Sequence, residues 1–361
     1  MMQIYTLPVG DEVHRYKKSI VVPFKGKRRV LSTCPLNGGY QENLTAVLNN
    51  DGNPGAGMAS VLRAPTYEEH MALIATELGL DAKTTSGMST AASMENVSIK
   101  TENFEELYVT AVVTGGIEVN GGRVGDPATW HEAMGKAVPV KQGTINIMLF
   151  INTDLSEGAL TRSVVTCTEA KTAAIQELIA PSRYSMGLAT GSGTDGTIVV
   201  CNAESEIRLT NAGKHSKLGE LIGLAVKAAV KEALNKQSGL SPERQHNLLK
   251  RMDRFGITED SLWELYSEKH EDAFRPKFED KLYQFAKDSE VVVYSSLYAH
   301  LLDQLMWGMI SAEEAISAGN NILGMIKKEH MQKPEFKKEI GEAISYMITV
   351  FKEMICEELA K

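Results

Sequence analysis

Apolar residues follow two different spacings along this chain, and the change falls near residue 240. Before it, β-branched runs alternate with helical stretches, and most of the glycine lies here. After it, Gly becomes scarce and Leu, Met, Glu and Lys recur at helical spacing. Strand-type and helix-type patterns cannot exchange roles, because one repeats every 2 residues and the other every 3.6. The chain is therefore expected to hold a mixed α/β region over residues 1–236, then an all-α region over 241–361. The junction Asn235-Lys236-Gln237-Ser238-Gly239-Leu240-Ser241-Pro242 has turn chemistry.

In the first region, SIVVPF (19–24) and RRVLST (28–33) flank Gly26 and predict a hairpin. LYVTAVVTGG (107–116), GTINIMLFINT (143–153) and GTIVVCN (196–202) predict buried strands. YEEHMALIATELGL (67–80), GALTRSVVTCTEAKTAAIQELI (158–179) and LGELIGLAVKAAVKEAL (218–234) predict helices. GMSTAASMENVSI (87–99) aligns without gaps on GLATGSGTDGTIV (187–199), which suggests an internally duplicated strand–helix unit; chance likeness of small-residue loops is the plainer alternative. In the second region, helices are predicted over 242–255, 257–270, 291–309, 311–330 and 334–360. Ser241, Thr258 and Ser311 stand ready as N-terminal caps. No chemistry is evident there, and a packing or self-association module is the expectation.

Several functions are excluded or disfavoured. The net charge of −8 argues against a dedicated nucleic-acid binder. No run of about 18 apolar residues predicts a membrane span. The opening residues, MMQIYTLPVGDEVHRYKK, predict no secretory leader. Four scattered cysteines without a CxxC pair fit reduced, buried thiols in a cytoplasmic protein. The P-loop, G-x-S-x-G and H-E-x-x-H patterns are all absent, and the eight histidines do not cluster. No metal ligand set and no protein-bound cofactor are expected.

GSGTDG (191–196) matches G-x-G-x-x-G but leads into a strand rather than a helix, so dinucleotide binding is rejected. Gly191, Gly193, Thr190, Ser192, Thr194 and Asp195 then either meet a polar ligand or make a plain strand-entry turn. In GKHSKLGELIG (213–223), Ser216 caps a helix and Glu220 sits in its first turn. His215 is placed beside the positive helix end as a neutral base, with Lys214 to hold a negative group; a simple capping role competes. Glu169 and Lys171 stand in an otherwise small-residue helix, where a buried charge would need a partner or a function. Asn37, Gly38 and Gly39 follow a strand and offer either an amide contact or turn chemistry.

Taken together, STCPLNGGY (32–40), GDPA (125–128), GTIN (143–146), TEAKTAA (168–174), GLATGSGTDG (187–196) and GKHSKLGELIG resemble the adenosylcobinamide amidohydrolase family, over roughly residues 15–236. Polar Ser89 and the looser stretch before GDPA depart from that family's pattern. The resemblance implies cleavage of the amide joining aminopropanol to the corrin ring, giving adenosylcobyric acid for cobamide salvage. It implies a corrinoid as the partner, itself carrying the cobalt. His215 is the expected base or acid, oriented by Glu220 or Asp195, with Ser192 or Thr194 as nucleophile or oxyanion donor. A corrinoid chaperone or sensor without catalysis is the alternative. A third idea has Thr144 freed as an N-terminal nucleophile.

Overall fold

The computed structural model describes residues 1–53, 55, 62–128, 130–131, 136–137, 143–328 and 339–361. Contacts divide the chain into two compact units, one of residues 1–184 with 188–241, the other of 185–187 with 242–361.

In the first unit, strands β1 (Met2–Thr6), β2 (Glu12–Tyr16), β3 (Ser19–Pro23), β4 (Arg28–Ser32), β5 (Gly39–Gln41) and β6 (Ala46–Asp51) precede helix α1 (Tyr67–Glu77). Strands β7 (Thr85–Thr90), β8 (Ser98–Phe104), β9 (Leu107–Gly116), β10 (Gly121–Gly122), β11 (Trp130–His131), β12 (Lys136–Ala137), β13 (Thr144–Ile151) and β14 (Asp154–Leu155) lead to helix α2 (Glu157–Glu177). Strands β15 (Gly191–Ser192), β16 (Gly196–Asn202) and β17 (Arg208–Leu209) precede helix α3 (Lys217–Ser238).

Two sheets carry the unit, in the orders β1-β2-β3-β6-β7 and β5-β4-β16-β13-β9-β8. Three apolar layers fix their stacking. Val21, Leu48, Met71 and Ile74 pack α1 on the outside of the first sheet. Val22, Val47, Met88, Met148, Phe150, Ile198 and Val200 fill the space between the sheets. Ile145, Ile147, Leu149, Val199, Leu160 and Ile222 pack α2 and α3 on the outside of the second sheet. The layers are thus helix, sheet, sheet, helices. Strand alternation explains the division: odd residues of β13 face the helices, and even ones face the other sheet.

Each sheet repeats one plan. The hairpin β2-β3 pairs antiparallel with β6, which crosses through α1 to the parallel strand β7. The hairpin β8-β9 pairs antiparallel with β13, which crosses through α2 to the parallel strand β16. The duplication therefore exists at the level of topology. The gap-free alignment misses its register, since it sets β7 against residues that precede β16.

The expected hairpin of 19–24 with 28–33 does not form. Strand β3 pairs with β2 and β6, whereas β4 joins the other sheet beside β16 and β5. The intervening turn crosses between sheets, and a buried ion pair holds it: Arg28 Nε and Nη2 each donate at 2.9 Å to Asp11, which also accepts from Lys25 N at 2.8 Å. The other predicted elements of this region appear close to their expected spans. Ser216 caps α3 by accepting from Gly219 N at 3.1 Å, and Gly239 ends it with φ 71°.

The second unit is helical, with α4 (Pro242–Gln245), α5 (Leu248–Met252), α6 (Glu259–Lys269), α7 (Arg275–Lys287), α8 (Ser289–Met306), α9 (Ala312–Lys327) and α10 (Ile340–Ala360). Its core holds Leu248, Phe278, Leu302, Leu323 and Phe351, and the Tyr298 hydroxyl donates to Met347 O at 2.8 Å. The single helix expected over 242–255 is instead broken, because Asn247 caps a new start at Leu249 N and Lys250 N. Residues 329–330 and 334–338 of the expected helices lie outside the described residues. No helix among the described residues is long and apolar enough to cross a membrane.

Candidate active site

Where the two sheets separate at one end, their facing strands change from apolar to polar. On β13, Met148 and Phe150 give way to Asn146 and Thr144; on β16, Val200 and Ile198 give way to Gly196; on β6, Val47 gives way to Asn49. A cavity of about 300 Å³ opens there, lined by Thr33, Cys34, Tyr67, Ser89, Thr90, Gly143, Thr144, Asn146, Thr194, Asp195 and neighbours.

Asp195 is the charged group of its wall. Its Oδ1 accepts from Ile145 N and Ser192 Oγ, both at 2.8 Å. Its Oδ2 accepts from Ser192 N at 2.9 Å and forms a short ion pair with Lys171 of α2. The two side chains are only 11% and 12% exposed, so each charge depends on the other. Gly191 makes this possible: a Cβ there would collide with Asp195 Oδ2 and stand 2.8 Å from Lys171 Nζ. Beyond the carboxylate, Ser192 Oγ lies 3.2 Å from Thr194 Oγ1, which also reaches Gly143 O at 2.9 Å. A hydrogen-bonded chain thus runs from ammonium to carboxylate to the Ser192 hydroxyl; Thr194 Oγ1, which lines the cavity, lies beside it and gives its hydrogen to Gly143 O.

Among the described residues, the opposite wall carries no charged side chain. Burial pushes the Cys34 thiol up to about 11, against the hydrogen bonds of Ser32 and Ser86. Burial likewise raises the Tyr67 phenol, whose oxygen accepts from Ser89 N at 2.9 Å. Both groups therefore stay protonated near neutral pH.

The structure brings Lys171, Gly191, Ser192, Thr194 and Asp195 together, and it places His215 elsewhere. His215 is exposed and lines a separate cleft with Arg162, Asn211, Gly213, Lys214 and Ser216. The expected grouping of His215 with Ser192, Thr194 and Asp195 is thus divided between two clefts. The reason lies on α2: Thr166 Oγ1 docks the 211–216 loop by donating to Ala212 O at 2.7 Å, whereas Lys171 reaches Asp195 about 7.5 Å further along the axis. Neither proposed orienting group meets the imidazole. Glu220 is exposed and pairs with Lys217 at 2.6 Å, and Asp195 is bound as described. Glu169 pairs with Lys214 at 3.3 Å on the surface.

Other expected contacts serve the backbone. Asn37 Nδ2 donates at 2.7 Å to both Ala82 O and Thr85 O, holding the turn whose preceding residues Thr33 and Cys34 line the cavity. Gly38 is required because a Cβ would collide with Cys34 O, and Gly39 takes φ 74°. Thr190 Oγ1 accepts from Val124 N at 2.9 Å, which ties the loop to the 122–124 turn. Gly193 has open space around it. Among the described residues, no group of three or more His, Cys, Asp or Glu side chains could hold a metal ion.

Asn49, Asn146, Tyr67 and Thr90 were not singled out from the sequence as site residues. For the two asparagines the signal was present, a polar side chain at an inward position of an otherwise apolar strand; Tyr67 at a helix start and Thr90 in a polar strand carried none.

A half-enclosed cavity with an apolar body, a few convergent polar groups and a desolvated ion pair is the setting of a small-molecule site. Comparison with known proteins narrows the class: residues 4–242 match the family model described as adenosylcobinamide amidohydrolase, and the chain belongs to that family. An uncharacterized protein of Methanocaldococcus jannaschii is 36% identical over 231 residues, covering 61% of this chain and 87% of that one. A Methanosarcina mazei protein named adenosylcobinamide amidohydrolase is 30% identical over 178 residues, covering 47% of this chain and 76% of that one. A solved structure from Pyrococcus horikoshii aligns with a TM-score of 0.31 at 13% identity, covering 65% of this chain and 82% of that one.

Proposed function

We propose that the chain hydrolyses the amide linking aminopropanol to the corrin ring of adenosylcobinamide, releasing adenosylcobyric acid for cobamide salvage. The observation that carries this is the Lys171–Asp195–Ser192 chain with the Thr194 hydroxyl beside it, in a cavity sized for an arm. Family membership and the relative of that name support the substrate. The ring stays at the mouth, and the aminopropanol arm enters.

With its hydrogen turned from Gly143 O to Ser192 Oγ, Thr194 Oγ1 attacks the amide carbonyl, and its proton passes by way of Ser192 Oγ to Asp195. Lys171 holds that carboxylate in place and offsets its charge. The C–N bond breaks, aminopropanol leaves with a proton, and water then cleaves the Thr194 ester to give the propionate. No resident metal takes part in this scheme. Four free, buried cysteines agree with our placing the reaction in the cytoplasm.

The test incubates purified protein with adenosylcobinamide, with and without chelator, and follows cobyric acid by mass spectrometry. Chelator-insensitive formation is expected. Tight corrinoid binding with no cobyric acid contradicts hydrolysis and favours a chaperone or sensor.

A further inference from the structure

On β13, next to the strand end that holds Asp195, the cavity wall contains one acceptor whose orientation is fixed and whose lone pairs are largely unused. Asn146 is 1% exposed. Its side-chain nitrogen donates to Ser89 O at 3.0 Å and to Asn49 Oδ1 at 2.8 Å. A backbone carbonyl only accepts, so the atom beside Ser89 O must be Nδ2 and the amide cannot be flipped. Asn49 is held in turn, since its Nδ2 donates to Thr114 Oγ1 at 2.8 Å. Both hydrogens of Asn146 are therefore engaged, which leaves Oδ1 to meet a further donor beside Gly196, another residue of the cavity lining.

Little among the described residues occupies that oxygen. Thr144 Oγ1 lies 3.4 Å away, but it gives its one hydrogen to Thr194 O at 2.7 Å. Gly196 is the direct β16 neighbour of Asn146, and a Cβ there would stand 3.1 Å from Oδ1. The missing side chain keeps the oxygen uncovered. A buried carbonyl oxygen with no proper donor is costly unless a ligand supplies one.

Resting on the hydrolytic reading above, we propose that Asn146 Oδ1 accepts the hydrogen bond of the scissile amide N–H, so that the site selects secondary amides over the corresponding esters. Asn49 acts as a positioning residue by holding Asn146. An amide nitrogen brings the missing donor, whereas an ester oxygen would set acceptor against acceptor. The same contact holds the nitrogen that becomes the leaving amine.

The test compares adenosylcobinamide with an analogue in which the linking N–H is replaced by O. Binding of the ester is read as a KM if it is hydrolysed, or as an inhibition constant against adenosylcobinamide if it is not. Wild-type protein should bind the ester at least about tenfold more weakly than the amide. Asn146→Ala should reduce that preference to within about threefold, by losing amide binding and not ester binding. Gly196→Ala sets a methyl 3.1 Å from Oδ1 and displaces the Met88 thioether, 2.7 Å from it, so it covers the oxygen and should do the same if Asn146→Ala fails to fold. An amide-to-ester ratio near one in the wild type, or equal losses for both ligands in the variants, overturns the assignment. Cobyric acid formation by the wild type tests the parent reading separately.

Discussion

Replacing Lys171 by Met removes the ammonium facing Asp195 while keeping an unbranched side chain of similar length. Breaking a buried pair costs about 3–5 kcal/mol when the surviving charge is left without help. Asp195 keeps three donors, Ile145 N and Ser192 Oγ at 2.8 Å and Ser192 N at 2.9 Å, so the loss should fall to about 2–3 kcal/mol. In a unit of this size that lowers the melting temperature by roughly 5–10 °C. Asp195→Ala should cost more, about 4–5 kcal/mol, because it strands Lys171 and also two backbone N–H groups. Urea denaturation of both single variants and of the double variant measures this order. The double variant should fall short of the summed single losses by at least about 1 kcal/mol, since neither charge remains to be stranded. Turnover of Lys171→Met should drop at least about tenfold. A Lys171→Met protein as stable as wild type, or less stable than Asp195→Ala, would refute the claim that Asp195 is anchored as described.

Thr194→Val removes the cavity-facing hydroxyl at nearly constant volume; we predict a fall in kcat of at least about 100-fold with corrinoid affinity within a few-fold. His215→Ala, in a separate exposed cleft, should keep kcat/KM within about threefold, and a loss beyond about 100-fold would return the imidazole to the reaction. Gly38→Ala drives a methyl into Cys34 O and should cost several kcal/mol by denaturation, whereas Gly193→Ala, with open space around it, should change stability by less than about 1 kcal/mol. The buried Cys34 thiol binds its proton up to about 11 against a reference of 9.0, so the unfolded chain loses that proton first as pH rises. Its contribution is fully present below about pH 9 and is lost as pH climbs toward 11, and Cys34→Ala should flatten the alkaline fall in stability over that window.

The elements of the first unit were largely legible because their signals are local. The alternation in GTINIMLFINT and the stripe in LGELIGLAVKAAVKEAL determine strand and helix without reference to anything distant. Pairing was not local. SIVVPF and RRVLST read as a hairpin because they are neighbours in sequence, yet each finds better-buried partners in a different sheet, and the Asp11–Arg28 pair spans the crossing. The site shows the same division. Lys171 stood out as a charge in a small-residue helix, and Asp195 as an acid in a glycine loop, and they prove to be each other's counter-ion. His215 stood out because a helix start favours a neutral imidazole, but that is a property of the helix end and does not say which cavity the end faces. Asn146 was hidden inside an apolar strand, where its meaning depends on Asn49 some 97 residues away.

The most direct measurement is a structure of Thr194→Val protein soaked with adenosylcobinamide. The account predicts the aminopropanol arm between the sheets, its amide carbonyl beside position 194 and its N–H within hydrogen-bond reach of Asn146 Oδ1. An arm seated instead in the Arg162–His215 cleft, with the inter-sheet cavity empty, would contradict it.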